Sequence, residues 1–330
     1  MSFEALVILI GVALVFDFMN GFHDAANSIA TIVSTGAMRP QYAIVWAAFF
    51  NFVAFIFFGL HVAGTVGKGI IDPQIVDHHV VFGALTGAIF WNLVTWYYGI
   101  PSSSSHALIG GLAGAAVAKG GVHTLVAAGF LKTAAAIVLS PAFGFMFGAA
   151  LMIMLAWIFR RSTPRRVDRY FNKLQFVSAA LYSMGHGSND AQKTMGIIWM
   201  LLIAATVTGV DDDLPLWVVL ACQTAMGLGT LFGGWRIVKT MGMRITKLKP
   251  VSGFSASASG AITLFIATAL GIPVSTTHTI TGAIVGVGSV QKLSAVRWGV
   301  AGNIVWAWIF TIPCSAFVAA IAWWVAHRYF

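Results

Sequence analysis

Two short stretches of this sequence bring hydroxyl side chains and a histidine together directly after a proline, in a chain that is otherwise largely apolar. The first is IPSSSSH at residues 100–106, and the second is IPVSTTH at residues 272–278. The residue before a proline avoids the helical conformation, and serine or threonine is a preferred N-cap, so each stretch predicts a hairpin in which one helix ends and another begins. The free N–H groups and positive dipole end of the second helix are typical of a binding site for a small oxyanion.

The hydroxyl groups in these hairpins outnumber what helix capping requires. Capping explains one serine at each helix start, yet the first stretch has four in a row. We therefore expect the further hydroxyls, together with one asparagine, to bind the anion. The predicted anion ligands are Ser103, Ser104, Ser105, Ser275, Thr276, Thr277 and Asn189. His106 and His278 could bind the anion or carry a proton, but we expect each to hydrogen-bond the hairpin backbone.

Two aspartates lie in a second pair of similar stretches. GFHDAANS at residues 21–28 contains Asp24, and GSNDAQKT at residues 187–194 contains Asp190. A carboxylate is costly to bury in apolar surroundings, and beside an anion site it repels the ligand unless a cation or a proton intervenes. This combination is typical of a carrier that moves an anion together with a cation. The predicted residues for cation or proton coupling are Asp24, Asp190, Asn27, Lys193 and His23.

Asn27 and Lys193 occupy equivalent positions in the two aspartate stretches. The lysine either pairs with Asp190 as a built-in cation, where another transporter would hold a metal ion, or is a snorkelling or salt-bridged helix residue.

The composition places these motifs in a membrane. Of the 330 residues, 58% are hydrophobic and 9% are charged, whereas soluble domains have about 45–50% and about 25%. The net charge of +9 is concentrated around residues 160–173 and 239–249, which is typical of cytoplasmic loops and does not indicate a nucleic-acid-binding protein. The sequence therefore predicts an all-α, multi-pass membrane protein with about 10–12 membrane segments.

The two kinds of motif recur in the same order, which predicts two related halves. We place the first half at residues 1–163, a basic cytoplasmic linker at 164–173 and the second half at 174–330. The charge bias of corresponding loops is reversed, because the acidic stretch 208–215 matches a loop with Arg39 in the first half. This reversal predicts two inverted-topology repeats, with two re-entrant hairpins that meet near the centre of the membrane.

Glycines beside the aspartates predict broken helices. Residues 174–209 would form a straight helix of roughly 54 Å, against a hydrocarbon core of about 30 Å. We therefore expect an interruption at Gly185 and Gly187 and a matching one near Gly21.

These motif pairs resemble the inorganic phosphate transporter (PiT) family along essentially the whole chain. One G-x-N-D-x-A-N-like sequence in each half characterises that family, and it stands here as GFHDAAN and GSNDAQK beside the matching IPSSSSH and IPVSTTH elements. The resemblance implies a secondary transporter, not an enzyme, that imports orthophosphate by cation symport without a cofactor. It also implies a location in the inner (plasma) membrane of a bacterium.

Departures from the family pattern bear on the coupling ion. His23 and Lys193 replace asparagines of the family motif, and Asn51 and Ser257 stand where many relatives carry glutamate. We therefore favour a proton, or a neutral divalent metal–phosphate complex, over sodium; if sodium is used, Asp24 and Asp190 are its expected ligands. The expected partners are phosphate and membrane lipid; a PhoU-like cytosolic accessory protein and a homodimer are both compatible with the resemblance, and nucleic acid is not expected.

Two other functions stay open on the sequence. A sulfate permease of the same family is the nearer one, although phosphate keeps a proton near pH 7 that Asp24 and Asp190 could accept, whereas sulfate offers only acceptors. An intramembrane enzyme is the more distant one, because serine, histidine and aspartate are all present. Two equivalent sets of these residues fit a cage around an ion better than a catalytic centre, which needs one nucleophile and one base.

Overall fold

A computed structural model describes residues 2–72, 75–209 and 212–329, which form a nearly all-helical structure. The α-helices of these residues, α1 to α12 in chain order, are Phe3–Ser34, Pro40–Val53, His61–Gly69, His78–Tyr98, Ser104–Gly120, Ala127–Ile158, Pro164–Ala204, Leu216–Phe232, Trp235–Lys239, Pro250–Ala269, Thr276–Gln291 and Trp298–Tyr329. Short 3₁₀ or π turns are Ala54–Ile56, Val122–Thr124, Thr240–Arg244 and Leu293–Ala295. The predicted all-α class is confirmed.

Several of these helices are suited to a membrane. Five of them, α1, α4, α6, α10 and α12, are long and apolar enough to cross it, and up to 7 spans result if the bent pairs α2–α3 and α8–α9 each count as one. This count of long apolar helices is lower than the predicted 10–12 segments. Helices α5 and α11 have only 17 and 16 residues, and α7 carries many polar side chains. The chain is nevertheless a multi-pass membrane protein by its composition and its apolar helices.

Two apolar clusters form the core, one on either side of a polar layer. Helix α1 contributes Leu6–Phe16 to the first cluster and Ala26–Ile32 to the second. Helix α7 passes through the clusters in the opposite order, since Tyr182 lies in the second cluster and Ala191–Leu202 lie in the first. Likewise α5 enters the first cluster and α11 the second. Corresponding helices thus run in opposite directions between the clusters, as inverted repeats would, while the repeat boundaries and their membrane sidedness stay predictions.

The two halves are interlaced. Helix α6 packs on α11 and α12 packs on α5; α1 packs on α8 and α7 packs on α2. Each of these pairs joins a helix of one half to a helix of the other, and each pair has its counterpart with the halves exchanged. The polar layer is therefore built by both halves together.

The two predicted hairpins are present. Helix α4 ends one residue before Gly99 and α10 ends two residues before Gly271, and both glycines have positive φ angles, 66° and 63°, which only glycine adopts readily. An extended segment with the proline follows, and Ser103 or Ser275 is the N-cap of the next helix. The order of Gly-Ile-Pro, N-cap and helix therefore encodes each hairpin locally.

Each hairpin bend is held by a threonine from the other half. Thr65 of α3 donates to the Gly271 carbonyl at 2.7 Å, and Thr240, after α9, donates to the Gly99 carbonyl at 2.9 Å. These bonds satisfy backbone carbonyls that the helix ends leave free within the membrane.

The prediction of broken helices at the aspartate motifs is wrong. Helices α1 and α7 run without interruption through Gly21 and through Gly185 and Gly187. The glycines serve close helix contact instead, because a Cβ at Gly21 would meet the backbone of Met226 and one at Gly187 that of Asn51. The sharp bends lie elsewhere, 84° between α2 and α3 and 63° between α8 and α9.

The predicted basic linker at 164–173 is also not an irregular connection, because these residues form the first turns of α7. Its cytoplasmic location stays a prediction. Residues 210–211, in the acidic stretch used for the topology argument, lie outside the described residues.

Close packing between the halves predicts a sensitive position on α11. A Cβ at Gly282 would overlap with the backbone of Pro141 in α6, so we expect Gly282→Ala to lower the free energy of unfolding by about 1–3 kcal/mol. The matched control is Gly302→Ala in α12, where no heavy atom lies within 4 Å of an added Cβ. Thermal unfolding of both variants in detergent tests this, and equal unfolding midpoints would contradict the tight α6–α11 contact.

Candidate functional site

Both hairpin tips end in the polar layer, where they meet the middles of α1 and α7. Ser103 and Ser275 accept the backbone N–H groups of His106 and His278 at 3.2 Å, so α5 and α11 begin here with their positive dipole ends. The hydroxyl residues that follow are at most 2% exposed: Ser104, Ser105, Thr276 and Thr277. The layer is thus lined by hydroxyls and sealed from solvent in this conformation.

Asp24 of α1 receives hydrogen bonds from both hairpins. Ser104 donates to its Oδ2 at 2.7 Å, and Thr277 of the second hairpin donates to its Oδ1 at 3.4 Å. His23 places its Nδ1 2.6 Å from the same Oδ1, while its Nε2 lies 3.0 Å from the Thr95 hydroxyl. This carboxylate is 2% exposed and has no lysine or arginine among its ion-pair partners in the described residues.

Asp190 of α7 is the counterpart and is also bonded by both hairpins. Thr276 donates to its Oδ2 at 2.8 Å, and Ser105 of the first hairpin donates to its Oδ1 at 3.4 Å. His186 places Nε2 3.2 Å from Oδ2, and Lys193 forms a close ion pair with Oδ1. The carboxylate is fully buried.

Lys193 forms an ion pair with Asp190, which is one of the two interpretations that the sequence leaves open. Its ammonium group also donates to the Ser105 hydroxyl and to the Val274 carbonyl, both at 2.6 Å. Asn27, its counterpart on α1, instead donates to Thr277 at 2.9 Å and to Thr276 at 3.3 Å. The two halves therefore place a cation on one side of the layer and a neutral amide on the other.

Charge in this layer favours the entry of positive charge with an anion. If both carboxylates are ionised, they outnumber the one ammonium group of the layer by one charge. The hydroxyls that could bind an oxyanion at present donate to carboxylate oxygens, which are chemically similar acceptors. A proton or cation on a carboxylate would weaken those bonds and release the hydroxyls for the anion.

Two residues of the polar layer are not among the site residues predicted from the sequence. His186 places Nε2 3.2 Å from Asp190 Oδ2 and Nδ1 3.1 Å from the Asn51 side-chain oxygen. Asn20 accepts a hydrogen bond from Ser104 at 2.6 Å. Each lies four residues before its aspartate, on the same helix face. This periodicity could have identified both, had the helices been taken as continuous.

Asn189, predicted to bind the anion, has a different use in this structure. Its amide group donates to the Thr268 hydroxyl at 3.0 Å and to the Ile272 carbonyl at 3.2 Å, which holds the second hairpin near its bend. Only its carbonyl oxygen is left unbonded, and an acceptor does not bind an oxyanion. In this conformation its amide group thus holds the hairpin bend, and a role in anion binding stays a prediction. The other predicted residues lie in or beside the polar layer.

His106 and His278 face each other, with ring centroids 4.5 Å apart. His278 also stacks on Trp308 at 3.7 Å, and its Nδ1 lies 3.4 Å from the Ile137 carbonyl. That carbonyl is available because Pro141, four residues later in α6, has no N–H to donate. The prediction that each histidine hydrogen-bonds its hairpin backbone is wrong, because His278 contacts the backbone of α6 and both ring nitrogens of His106 are buried without a hydrogen-bond partner among the described residues.

Three side chains could together hold a metal ion. Donor atoms of Asp24, His186 and Asp190 lie within 4.8 Å of one another, and all three residues are buried. A donor set with an imidazole suits transition divalent ions better than magnesium or calcium, which prefer oxygen ligands alone.

Comparisons with known proteins agree with this architecture. The profile of the Phosphate transporter family matches residues 20–319. The chain is 64% identical over 326 residues to a probable low-affinity inorganic phosphate transporter of Rhizobium meliloti, covering 99% of this chain and 98% of the relative. It is 48% identical to a protein of the same description from Bacillus subtilis, with 98% of each chain covered. A solved structure described as the sodium-dependent phosphate transporter superposes with a TM-score of 0.91 at 25% identity, covering 99% of this chain and 100% of the other.

The ion pair between Lys193 and Asp190 predicts a large effect on stability. Lys193→Met leaves a buried carboxylate without its cation, so we expect a loss of about 3–5 kcal/mol, much of which Asp190→Asn in the same chain restores. Lys119→Met is the matched control, because Lys119 and Asp77 form a 2.7 Å pair whose side chains are 29% and 32% exposed, worth about 1 kcal/mol or less. Unfolding in detergent measures all three; equal losses in the two single variants would contradict the buried pair.

Proposed function

Since the chain belongs to the phosphate transporter family, we propose that it imports inorganic phosphate by symport with a cation and that this cation is a proton. It is a phosphate transporter rather than an enzyme. The observation that carries the proposal on coupling is the buried Lys193–Asp190 ion pair, beside which Asp24 has no lysine or arginine partner in the described residues. Lys193 supplies a fixed positive charge on the α7 side. The proton or cation that is transported with phosphate therefore binds near Asp24.

The surroundings of Asp24 favour a proton over sodium. Its nearest polar neighbour is the imidazole of His23, whose Nδ1 lies 2.6 Å from Oδ1, and imidazole is a side chain that commonly takes part in proton transfer. The two positions at which relatives carry glutamate add no carboxylate here. Asn51 donates to Thr230 at 3.0 Å, and Ser257 is bonded to Thr31 at 2.7 Å. The protein that superposes on this chain is described as sodium-dependent, which makes sodium the alternative to test.

Phosphate binding would use the hydroxyls that now bond the carboxylates. Ser104, Ser105, Thr276 and Thr277 donate to Asp24 or Asp190, and all four lie at the starts of α5 and α11. A protonated oxygen of phosphate can in turn donate to a carboxylate, whereas sulfate has no such donor near pH 7. This difference supports phosphate over sulfate as the substrate.

A divalent metal–phosphate complex is the second candidate cargo. The donor atoms of Asp24, His186 and Asp190 within 4.8 Å of one another favour it, because a metal held there would lie beside the hairpin hydroxyls. In this case the metal is part of the substrate. The inner membrane as location, a PhoU-like accessory protein and a homodimer stay predictions.

Uptake of radiolabelled phosphate into proteoliposomes, with proton and sodium gradients imposed separately, tests the proposal. We expect an inward proton gradient to drive accumulation and a sodium gradient at constant pH to have no effect. Sulfate at equal concentration should leave the uptake unchanged, and a metal chelator should also leave it unchanged unless the cargo is a metal complex. Accumulation driven by sodium alone would overturn proton coupling, and full competition by sulfate would overturn the substrate.

Lys193 as a built-in cation predicts a change of ion dependence. Lys193→Asn restores the amide of the family motif, so the site should then need an external cation. We expect the apparent phosphate affinity without sodium to fall by about 5–150-fold, which corresponds to an ordinary coupling free energy, and to recover when sodium is added. Lys119→Asn, outside the polar layer, is the control. A loss that sodium does not reverse would contradict this role of the lysine.

A further inference from the structure

A third buried carboxylate lies close to the polar layer. Asp17 is in α1, two turns before Asp24, and its side chain is fully buried next to Ala13 and Phe16 of the first apolar cluster. Thr194, one turn after Asp190 in α7, donates to its Oδ1 at 2.9 Å. The second oxygen, Oδ2, is buried without a hydrogen-bond partner among the described residues.

No cation neutralises Asp17 in the described part of the chain, since none of the ion pairs there includes it. Its other polar neighbours are Asn20 on the same helix and the Cys222 thiol of α8, and the titratable group that acts on it from α7 is another carboxylate, Asp190. An ionised carboxylate in this setting would be repelled by Asp190 and deprived of water. The neutral acid avoids both costs.

The fold does not require a carboxylate at this position. The equivalent residue of the second half is Ser183, whose hydroxyl bonds the Ala179 carbonyl of its own helix at 2.8 Å. A small polar side chain therefore satisfies the same packing. Asp17 departs from this pattern in one half alone, which points to a chemical rather than a structural use.

We propose that Asp17 is a second proton-binding site of the transporter, which holds a proton in this occluded conformation and releases it when the first cluster opens to solvent. A polar route joins it to the layer, because the Ser104 hydroxyl lies 2.6 Å from Oδ1 of its neighbour Asn20 and 2.7 Å from Oδ2 of Asp24, and its one hydrogen can be donated to either. Neutral Asp17 keeps one negative charge away from the bound anion. The inference rests on the proposed proton symport.

Sodium does not fit this place. Hard cations take several oxygen ligands, and those around Asp17 are few. Besides Asp17 itself, the Thr194 hydroxyl supplies one oxygen, the Asn20 oxygen is already used by Ser104, and Cys222 offers a soft sulfur. A single proton on Oδ2 needs no further ligand.

The decisive variant is Asp17→Asn, which keeps the shape and removes the titration. With one coupled proton fewer, a pH gradient of one unit drives about tenfold less steady-state accumulation of phosphate. Exchange of labelled for unlabelled phosphate without a gradient should persist. The control is Glu4→Gln, the same change at an exposed residue of the same helix. Asp17→Ser, which copies Ser183, serves if the asparagine variant does not fold.

Infrared difference spectroscopy of the purified protein provides a readout independent of transport. We expect the carbonyl stretch of a protonated carboxyl in the wild type and in Glu4→Gln, and its loss in Asp17→Asn or Asp17→Ser. Wild-type accumulation in the Asp17 variants, or an unchanged band, would overturn this inference while leaving proton symport intact. If the wild type shows no proton-driven uptake, the proposed function itself fails, and the band still reports whether Asp17 holds a proton.

Discussion

The burial of Asp24 and Asp190 between two hairpin tips is the constraint on which the rest of the structure depends. A buried carboxylate needs hydrogen-bond donors and the hairpin hydroxyls need acceptors, so the two kinds of group satisfy each other. The bonds cross between the halves, since Ser105 of the first hairpin reaches Asp190 and Thr277 of the second reaches Asp24. A change of charge on either carboxylate therefore acts on both hairpins at once. This connection joins cation binding to anion binding without any separate signalling element.

Polar side chains at membrane depth do not require a broken helix. Helices α1 and α7 satisfy their own backbone hydrogen bonds along their whole length and present polar atoms only through side chains. Irregular backbone occurs instead at the hairpin bends and at the bends after α2 and α8. At the hairpins the free carbonyls of Gly99 and Gly271 are bonded by Thr240 and Thr65. Side chains of the opposite half thus satisfy the backbone carbonyls that would otherwise be unbonded in an apolar medium.

The two halves share a fold but not a charge pattern. Lys193 has a neutral counterpart in Asn27, and Asp17 has one in Ser183. The fixed cation lies on the α7 side of the polar layer, and the carboxylates without a lysine or arginine partner lie on the α1 side. Packing symmetry therefore sets the position of the site, whereas these differences set its electrostatics, and the proposed use of protons follows from the differences.

The sequence alone determined the hairpins, their N-caps and the pairing of motifs, because the preferences of glycine, proline and serine act within a few residues. It also identified Asp24 and Asp190, since a charge in an apolar chain stands out, and it left the ion pair with Lys193 as one of two interpretations. The uninterrupted helices, the use of Asn189 at the hairpin bend and the presence of His186 and Asp17 were decided by tertiary structure. A glycine permits a kink or a close contact equally well, and only a neighbouring helix such as the one carrying Asn51 selects the contact. Hydrogen-bond partners that lie far apart in the chain become neighbours only when both halves interlock.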